Sequence, residues 1–163
     1  MPVVSVPAFF ITAPFGWVCA MFNRKSAMEL RLLCIEWRNE YSIGHDNIDN
    51  EHKLLFINAN NFITAVQHGL GADRAHLMLE AMTEYAKPHF SDEEHFMAET
   101  SYGGLSHHKT CHDSFLCVID ALKEQVARGD DIAEELAFFI RSWLEEHVSK
   151  VDVEFRNYIR GGV

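Results

Sequence analysis

Residue types that bind metals recur at helical spacing through the second half of this chain. His89 and Glu93 are four apart, His108 and His112 are four apart, and His147 and Asp152 are five apart. A further candidate, His52, lies upstream in Asp49-Asn50-Glu51-His52-Lys53. Residues four apart on an α-helix lie one turn above each other on the same face, so the first two pairs are two-pronged donor sets. A metal ion needs several donors converging on one point, and helices that each present such a set toward a shared axis supply them. Asp152 is less regular. Five residues advance roughly 500° around a helix, which leaves it about 140° from His147. Either the two side chains reach one centre from different sides, or a π-type turn brings them together.

The elements that must position these residues follow from apolar periodicity. Residues 47–68 carry Ile48, His52, Leu55, Phe56, Ala59, Phe62, Ile63 and Val66 at steps of three and four, a buried helical stripe. A second helix is expected over 74–99, with Met78, Leu79, Met82, Tyr85, Ala86, His89, Glu93, Phe96 and Met97 inward. Asp73 is its expected N-cap, and Pro88 predicts a kink just before His89. The third helix is expected over 105–128, with Leu105, His108, His112, Phe115, Leu116, Ile119, Leu122 and Val126 inward. The fourth, over 132–158, is capped by Asp130 or Asp131 and turns Leu136, Phe139, Ile140, Trp143, His147, Val151, Phe155 and Tyr158 inward. Four amphipathic helices with short connections imply an all-α antiparallel up-and-down four-helix bundle. Residues 34–47, which lack a long 3.6 period, read as an N-terminal extended arm with Trp37 and Ile43 over the core. The expected division is an apolar extension over 1–33 and a bundle domain over 34–160.

His52, His89, Glu93, His108, His112 and His147 all replace apolar residues within these stripes. A lone histidine on an apolar face is usually a satisfied core residue. Six polar groups on four helices are different, because each costs roughly 1–3 kcal/mol if buried unpaired. Together they could exceed the stability of a small domain. A shared metal centre removes that cost; a buried histidine–carboxylate network is the alternative. The other histidines read as bland. His68 and His76 sit at helix ends, His95 faces outward, and His107 lies roughly 100° from its neighbour His108. His45 reads as a group behind a ligand or on an entry path. Asp49 reads as an acceptor for a ligand histidine or as a helix cap.

The chain has 163 residues, 10 of them histidine, and a net charge of −10 from 14 basic and 24 acidic residues. This is the size of one domain, and it shows no basic footprint for nucleic acid. Cys19, Cys34, Cys111 and Cys117 form no CxxC pair, which counts against a thiolate zinc site, and they read as small buried or half-buried thiols. Nothing requires an oxidising compartment, and the expected location is cytoplasmic. Residues 2–22 are apolar but hold Pro2, Pro7 and Pro14, and no basic residue precedes them, unlike a signal peptide. They read as a poorly ordered extension, with Met28 an alternative start. An arm packed on the domain is a second reading, and a membrane anchor is possible but not favoured.

Imidazole and carboxylate donors without thiolate favour iron, and manganese less strongly. Five histidines and two carboxylates are too many for one ion and suit two. The pattern Ile48-Asp49-x-x-His52-Lys53, His89-Phe90-x-x-Glu93-Glu94, His108-Lys109-x-x-His112-Asp113-x-Phe115 and Trp143-Leu144-x-x-His147-x-x-x-x-Asp152 resembles the hemerythrins, and among them the single-domain bacteriohemerythrins. The resemblance spans about residues 35–158. It implies a non-haem di-iron centre with an oxo or hydroxo bridge. One iron would take His108, His112 and His147, the other His52 and His89, and Glu93 and Asp152 would bridge them. It also implies reversible dioxygen binding as carrier, store or delivery protein rather than catalysis. A di-iron oxidase, peroxidase or nitric-oxide-handling enzyme, or an oxygen or redox sensor module, is the alternative. Ile48, Phe56, Phe90 and Trp143 are the candidates for an apolar wall that keeps water out.

Overall fold

Helix α1 runs Asp46–Gln67, α2 Gly71–Glu99, α3 Leu105–Ala127 and α4 Ala133–Glu146; a π-helical turn, His147–Val151, then leads directly into α5, Asp152–Ile159. The structure is a computed structural model that describes residues 34–161. The expected extension over 1–33, with its packed-arm and anchor readings and Cys19, lies outside the described residues. The π turn and α5 continue the α4 rod, so the chain forms four rods joined by short connections and no strand among the described residues. This is the all-α four-helix bundle that the periodicity implies.

The connections are set by backbone chemistry. α1 ends with Gly69 at φ +74°, while the Leu70 N–H reaches back to the Ala65 carbonyl at 2.8 Å. α3 ends in the same way, with Gly129 at φ +87° and the Asp130 N–H on the Gln125 carbonyl at 3.1 Å. Both are left-handed caps that absorb the last orphan carbonyls. α2 makes the same turn with Ser101 at φ 57°, a conformation that costs a residue with a Cβ more than glycine.

α2 begins three residues earlier than its sequence suggests, so Asp73 lies in the first turn and is not the cap. There it still complements the helix dipole. The reason for the early start is steric. A Cβ on Gly71 would meet Val66 at 2.7 Å and Ala133 at 2.8 Å, so only glycine lets α2 begin against α1 and α4. α2 is continuous through Pro88. The N-cap of α4 is Ile132 and neither Asp130 nor Asp131; Asp131, one residue earlier, still accepts from the Ala133 N–H through its Oδ1 at 3.2 Å.

α1 packs against α2 and α4, and α2 packs against α3 and α4. Phe115 of α3 meets Phe139 and Trp143 of α4, with ring centroids 5.4 and 4.3 Å apart. Tyr85 and Tyr158, expected inward, lie at the stripe edges and are exposed. The Tyr158 hydroxyl donates to the Thr100 and Ser101 carbonyls. Cys34 and Cys117 are exposed as well, and Cys111 is buried. Among the described residues no helix is long and apolar enough to cross a membrane.

The arm is held by side chains of α1. Asn60 grips the backbone of Ile35 twice, accepting from its N–H and donating to its carbonyl, both at 2.8 Å. Asp49, about one turn before His52, accepts from the Ile43 N–H at 2.9 Å and the Ser42 hydroxyl at 2.6 Å. Its hydrogen bonds therefore go to the loop that enters the bundle, neither to a ligand histidine nor to a helix terminus. Ile43 is fully buried by this clamp and Trp37 is half-buried. Asp49→Ala leaves a buried N–H unsatisfied, and its expected cost is about 1–3 kcal/mol. Chemical denaturation of the parent and the variant measures it, and equal midpoints would contradict the clamp.

Candidate metal centre

Each donor lies near the helix end that the antiparallel arrangement brings to one level. His52 sits early in α1, His89 and Glu93 late in α2, His108 and His112 early in α3, and His147 and Asp152 at the end of the α4–α5 rod. An apolar layer of Ile43, Ile48, Met97 and Phe155, flanked by Phe96, Tyr102, Leu105 and Ile159, closes that end of the core. On the other side lie Leu55, Ala86, Phe115, Ile140 and Leu144, all buried. All seven donor residues sit between, none more than 3 % exposed.

The π turn resolves the position of Asp152. Widening the helix over His147–Val151 brings two residues five apart onto one face. Asp152 Oδ1 consequently lies 3.1 Å from His147 Nε2.

The two carboxylates face in two directions. Asp152 Oδ1 points to His147 Nε2 and, at 3.5 Å, to His108 Nε2, while Oδ2 lies 3.2 Å from His52 Nε2. Glu93 Oε2 lies 3.1 Å from His108 Nε2 and 3.4 Å from His112 Nε2, while Oε1 faces His52 Nε2 at 3.9 Å. Six of the seven candidate donors form two close groups, Glu93 with His108, His112 and His147, and Glu93 with His52 and His89; within each, the ligating atoms lie within 4.8 Å of one another, and Asp152 stands outside both groups.

These separations fit metal ions. Two donors each about 2.1 Å from a common ion at tetrahedral or octahedral angles lie roughly 3.0–3.4 Å apart. His112 Nε2 and His147 Nε2 face each other at 3.1 Å. Among the described residues, His52 Nε2, Glu93 Oε1 and both Asp152 oxygens are buried without a hydrogen-bond partner. Converging lone pairs on buried, unpartnered atoms are what a cation would satisfy.

The ionisation states of the two carboxylates and of His147 suit donors. Burial would raise the Glu93 carboxyl, but hydrogen bonds from His108 and His112 and the field of His89 and His52 hold it well below the usual carboxylate range. Burial and Glu93 push Asp152 upward, yet His147 and His52 bring it down. Burial pushes His147 down to about 4 against the attraction of Asp152, so its ring is neutral at neutral pH. Burial opposes charging of His52 and His108 too, but Asp152 and Glu93 respectively raise them.

Aromatic rings wall the centre. Phe90 stacks on His112, with centroids 3.7 Å apart and planes at 5°, and Trp143 stacks on His147 at 4.2 Å and 12°. Trp37, carried by the arm, lies 6.2 Å from His52 and packs on Phe56. Of the wall candidates named from sequence, Phe90 and Trp143 touch donor rings, Phe56 acts through Trp37, and Ile48 belongs to the end layer. His45 stands just before α1 with its ring against Phe96 at 4.6 Å, outside both donor groups.

Two residues carry a role that spacing along the chain does not reveal. Glu51 Oε2 accepts from His89 Nδ1 at 2.9 Å, and Glu94 Oε1 accepts from His112 Nδ1 at 3.0 Å. Each is adjacent in sequence to a donor, so it sits roughly 100° off the buried stripe. The bond forms only across the gap to the next helix. The His89 hydrogen bond lowers Glu51 below its ordinary value.

Known proteins resemble this chain in sequence and in fold. The family model for the Hemerythrin HHE cation binding domain matches residues 43–157. A bacteriohemerythrin of Clostridium acetobutylicum is 33% identical over 124 residues, covering 73% of this chain and 96% of that one. A myohemerythrin of Riftia pachyptila is 29% identical over 120 residues, covering 74% and 89%. A solved structure of wild-type hemerythrin is similar with a TM-score of 0.68 and 26% identity, covering 76% of this chain and 95% of that one.

Glu93 belongs to both donor groups, so Glu93→Ala is expected to bind less iron per chain than the parent while the helical circular dichroism persists. Elemental analysis after anaerobic iron loading measures this. Parent-level iron in the variant would contradict the place of Glu93 between the groups.

Proposed function

The chain belongs to the hemerythrin family, and from that premise we propose that it binds dioxygen reversibly at a pair of iron ions, as a carrier, store or delivery protein. The observation that carries this reading is the division of each buried carboxylate between two histidine groups. Glu93 and Asp152 each turn one oxygen toward His108 and one toward His52. In this reading His108, His112 and His147 would hold one ion, His52 and His89 would hold the other, and Glu93 and Asp152 would serve both. The donor chemistry suits iron better than copper(I) or thiolate-bound zinc.

Iron bound there supplies the electrons for reversible association with dioxygen. Everything else is the work of the chain. The His52 and His89 side offers one imidazole fewer, which is why this reading assigns the small ligand to that side. Phe90 and Trp143 lie flat against His112 and His147, fixing those rings and displacing water beside them. Trp37 shields His52, with Lys53 Nζ 5.5 Å above its indole ring. A dry wall of this kind slows irreversible oxidation by restricting water. The donor set supports binding over oxygen activation, because histidines outnumber carboxylates, whereas bundle di-iron sites built mainly of glutamate are the activating type.

The test is an absorption spectrum of the reduced, iron-loaded protein before air, after air and after removal of oxygen. A charge-transfer band that appears with air and disappears on deoxygenation is the expected result. A band that decays to a stable oxidised spectrum with consumption of reductant would instead make the protein an enzyme.

A further inference from the structure

The donor histidines are not held alike from behind. His89 and His112 donate Nδ1–H hydrogen bonds to Glu51 and Glu94 at 2.9 and 3.0 Å, whereas the buried Nδ1 atoms of His52 and His108 have no hydrogen-bond partner among the described residues. The two supported rings lie in different donor groups. Each carboxylate comes from one helix and holds a ring on the next: Glu51 on α1 reaches α2, and Glu94 on α2 reaches α3. Glu51 directly precedes His52 and Glu94 directly follows Glu93, so each sits one residue from a donor of its own helix. Glu94 is itself held, its Oε2 accepting from Lys109 Nζ. Both carboxylates are partly wet, with side chains 29% and 18% exposed, so neither carries the full desolvation cost of a buried charge.

We propose that Glu51 and Glu94 are positioning residues, one for each ion of the centre, which fix His89 and His112 with the proton on Nδ1 and the Nε2 lone pair turned inward. The proposal rests on the two-ion reading above. A proton on Nδ1 leaves Nε2 as the only free donor atom of the ring. The hydrogen bond also sets the plane of the ring, and an anionic acceptor makes the imidazole a stronger donor. His112 Nε2 then faces Glu93 Oε2 at 3.4 Å and His147 Nε2 at 3.1 Å, while His89 Nε2 lies 4.0 Å from the same Glu93 oxygen. Because the supports fall one to each side, losing one of them weakens one ion and spares the other.

The experiment is a calorimetric titration of zinc(II) into the metal-free full-length chain, with Glu51→Gln and Glu94→Gln as variants. Glutamine keeps the shape and an acceptor oxygen and removes the charge. The parent is expected to take up two equivalents. Each variant is expected to bind one equivalent as the parent does and the other about 10–100-fold more weakly. The thermal unfolding midpoint of the metal-free chain is expected to stay at the parent value, which separates positioning from a general structural role. Proton–nitrogen NMR of the zinc form adds a direct readout. The downfield Nδ1 proton of His89 is expected to shift upfield in Glu51→Gln alone, and that of His112 in Glu94→Gln alone. Variants that bind both equivalents with parent affinity and keep both resonances would overturn the proposal while leaving the two-ion centre intact. A parent that fails to take up two equivalents would overturn the centre itself, and the proposal with it.

Discussion

Seven ionisable side chains share one buried layer of this bundle, and the structure is arranged around that constraint. Each unpaired buried polar group costs about 1–3 kcal/mol, against a total stability of roughly 5–15 kcal/mol for a domain of this size. The protein meets part of the demand internally. His108, His112 and His147 lie within hydrogen-bonding reach of Glu93, of Asp152 or of each other, and Glu51 and Glu94 take two of the outer ring protons. Of the remainder, His52 Nε2, Glu93 Oε1 and the two Asp152 oxygens face the space between the helices, where cations would satisfy them. The apolar layers on both sides isolate the polar layer from solvent and strengthen each interaction inside it.

Helix registration serves the same constraint. Two donors four apart on α2 and on α3 need only regular helix geometry. The last pair is five apart and needs a π turn, at the cost of irregular hydrogen bonding in the final rod. Gly71 lets the start of α2 close on Val66 and Ala133, at the far end of that helix from His89 and Glu93. The arm completes the assembly. Asn60 fixes Ile35, Asp49 fixes the loop at Ser42 and Ile43, and the segment between delivers Trp37 to the His52 side.

Much of this is legible in the sequence for a physical reason. A histidine or glutamate at an apolar position of a 3.6-residue stripe signals itself, as His52, His89, Glu93, His108, His112 and His147 all do. The helices α1 and α3 and the bundle class come from the same periodicity. Asp152 is legible only as a choice between two geometries, because a spacing of five does not say whether the backbone or the side chains adapt. Glu51 and Glu94 are invisible as functional residues, since their partners lie on other helices and their own positions fall at stripe edges where a solvated glutamate is ordinary. Asp49 misleads for a similar reason. A buried aspartate one turn from a donor looks like its support, yet its hydrogen bonds go to a loop six and seven residues back. Asp73 misleads because cap signals ignore steric fit, and Gly71 lets the helix start sooner. Cys34, Cys117, Tyr85 and Tyr158 show that apolar composition alone does not decide burial at the margin of a stripe.

The central claim is that two metal ions occupy the polar layer, one on each side of Glu93 and Asp152. The most direct measurement is an anomalous difference map from crystals of the iron-loaded protein, collected at the iron absorption edge. Two peaks are expected, one among His108, His112 and His147 and the other beside His52 and His89, with a carboxylate oxygen of Glu93 and of Asp152 next to each. A single peak, or peaks away from these residues, would contradict a two-ion centre.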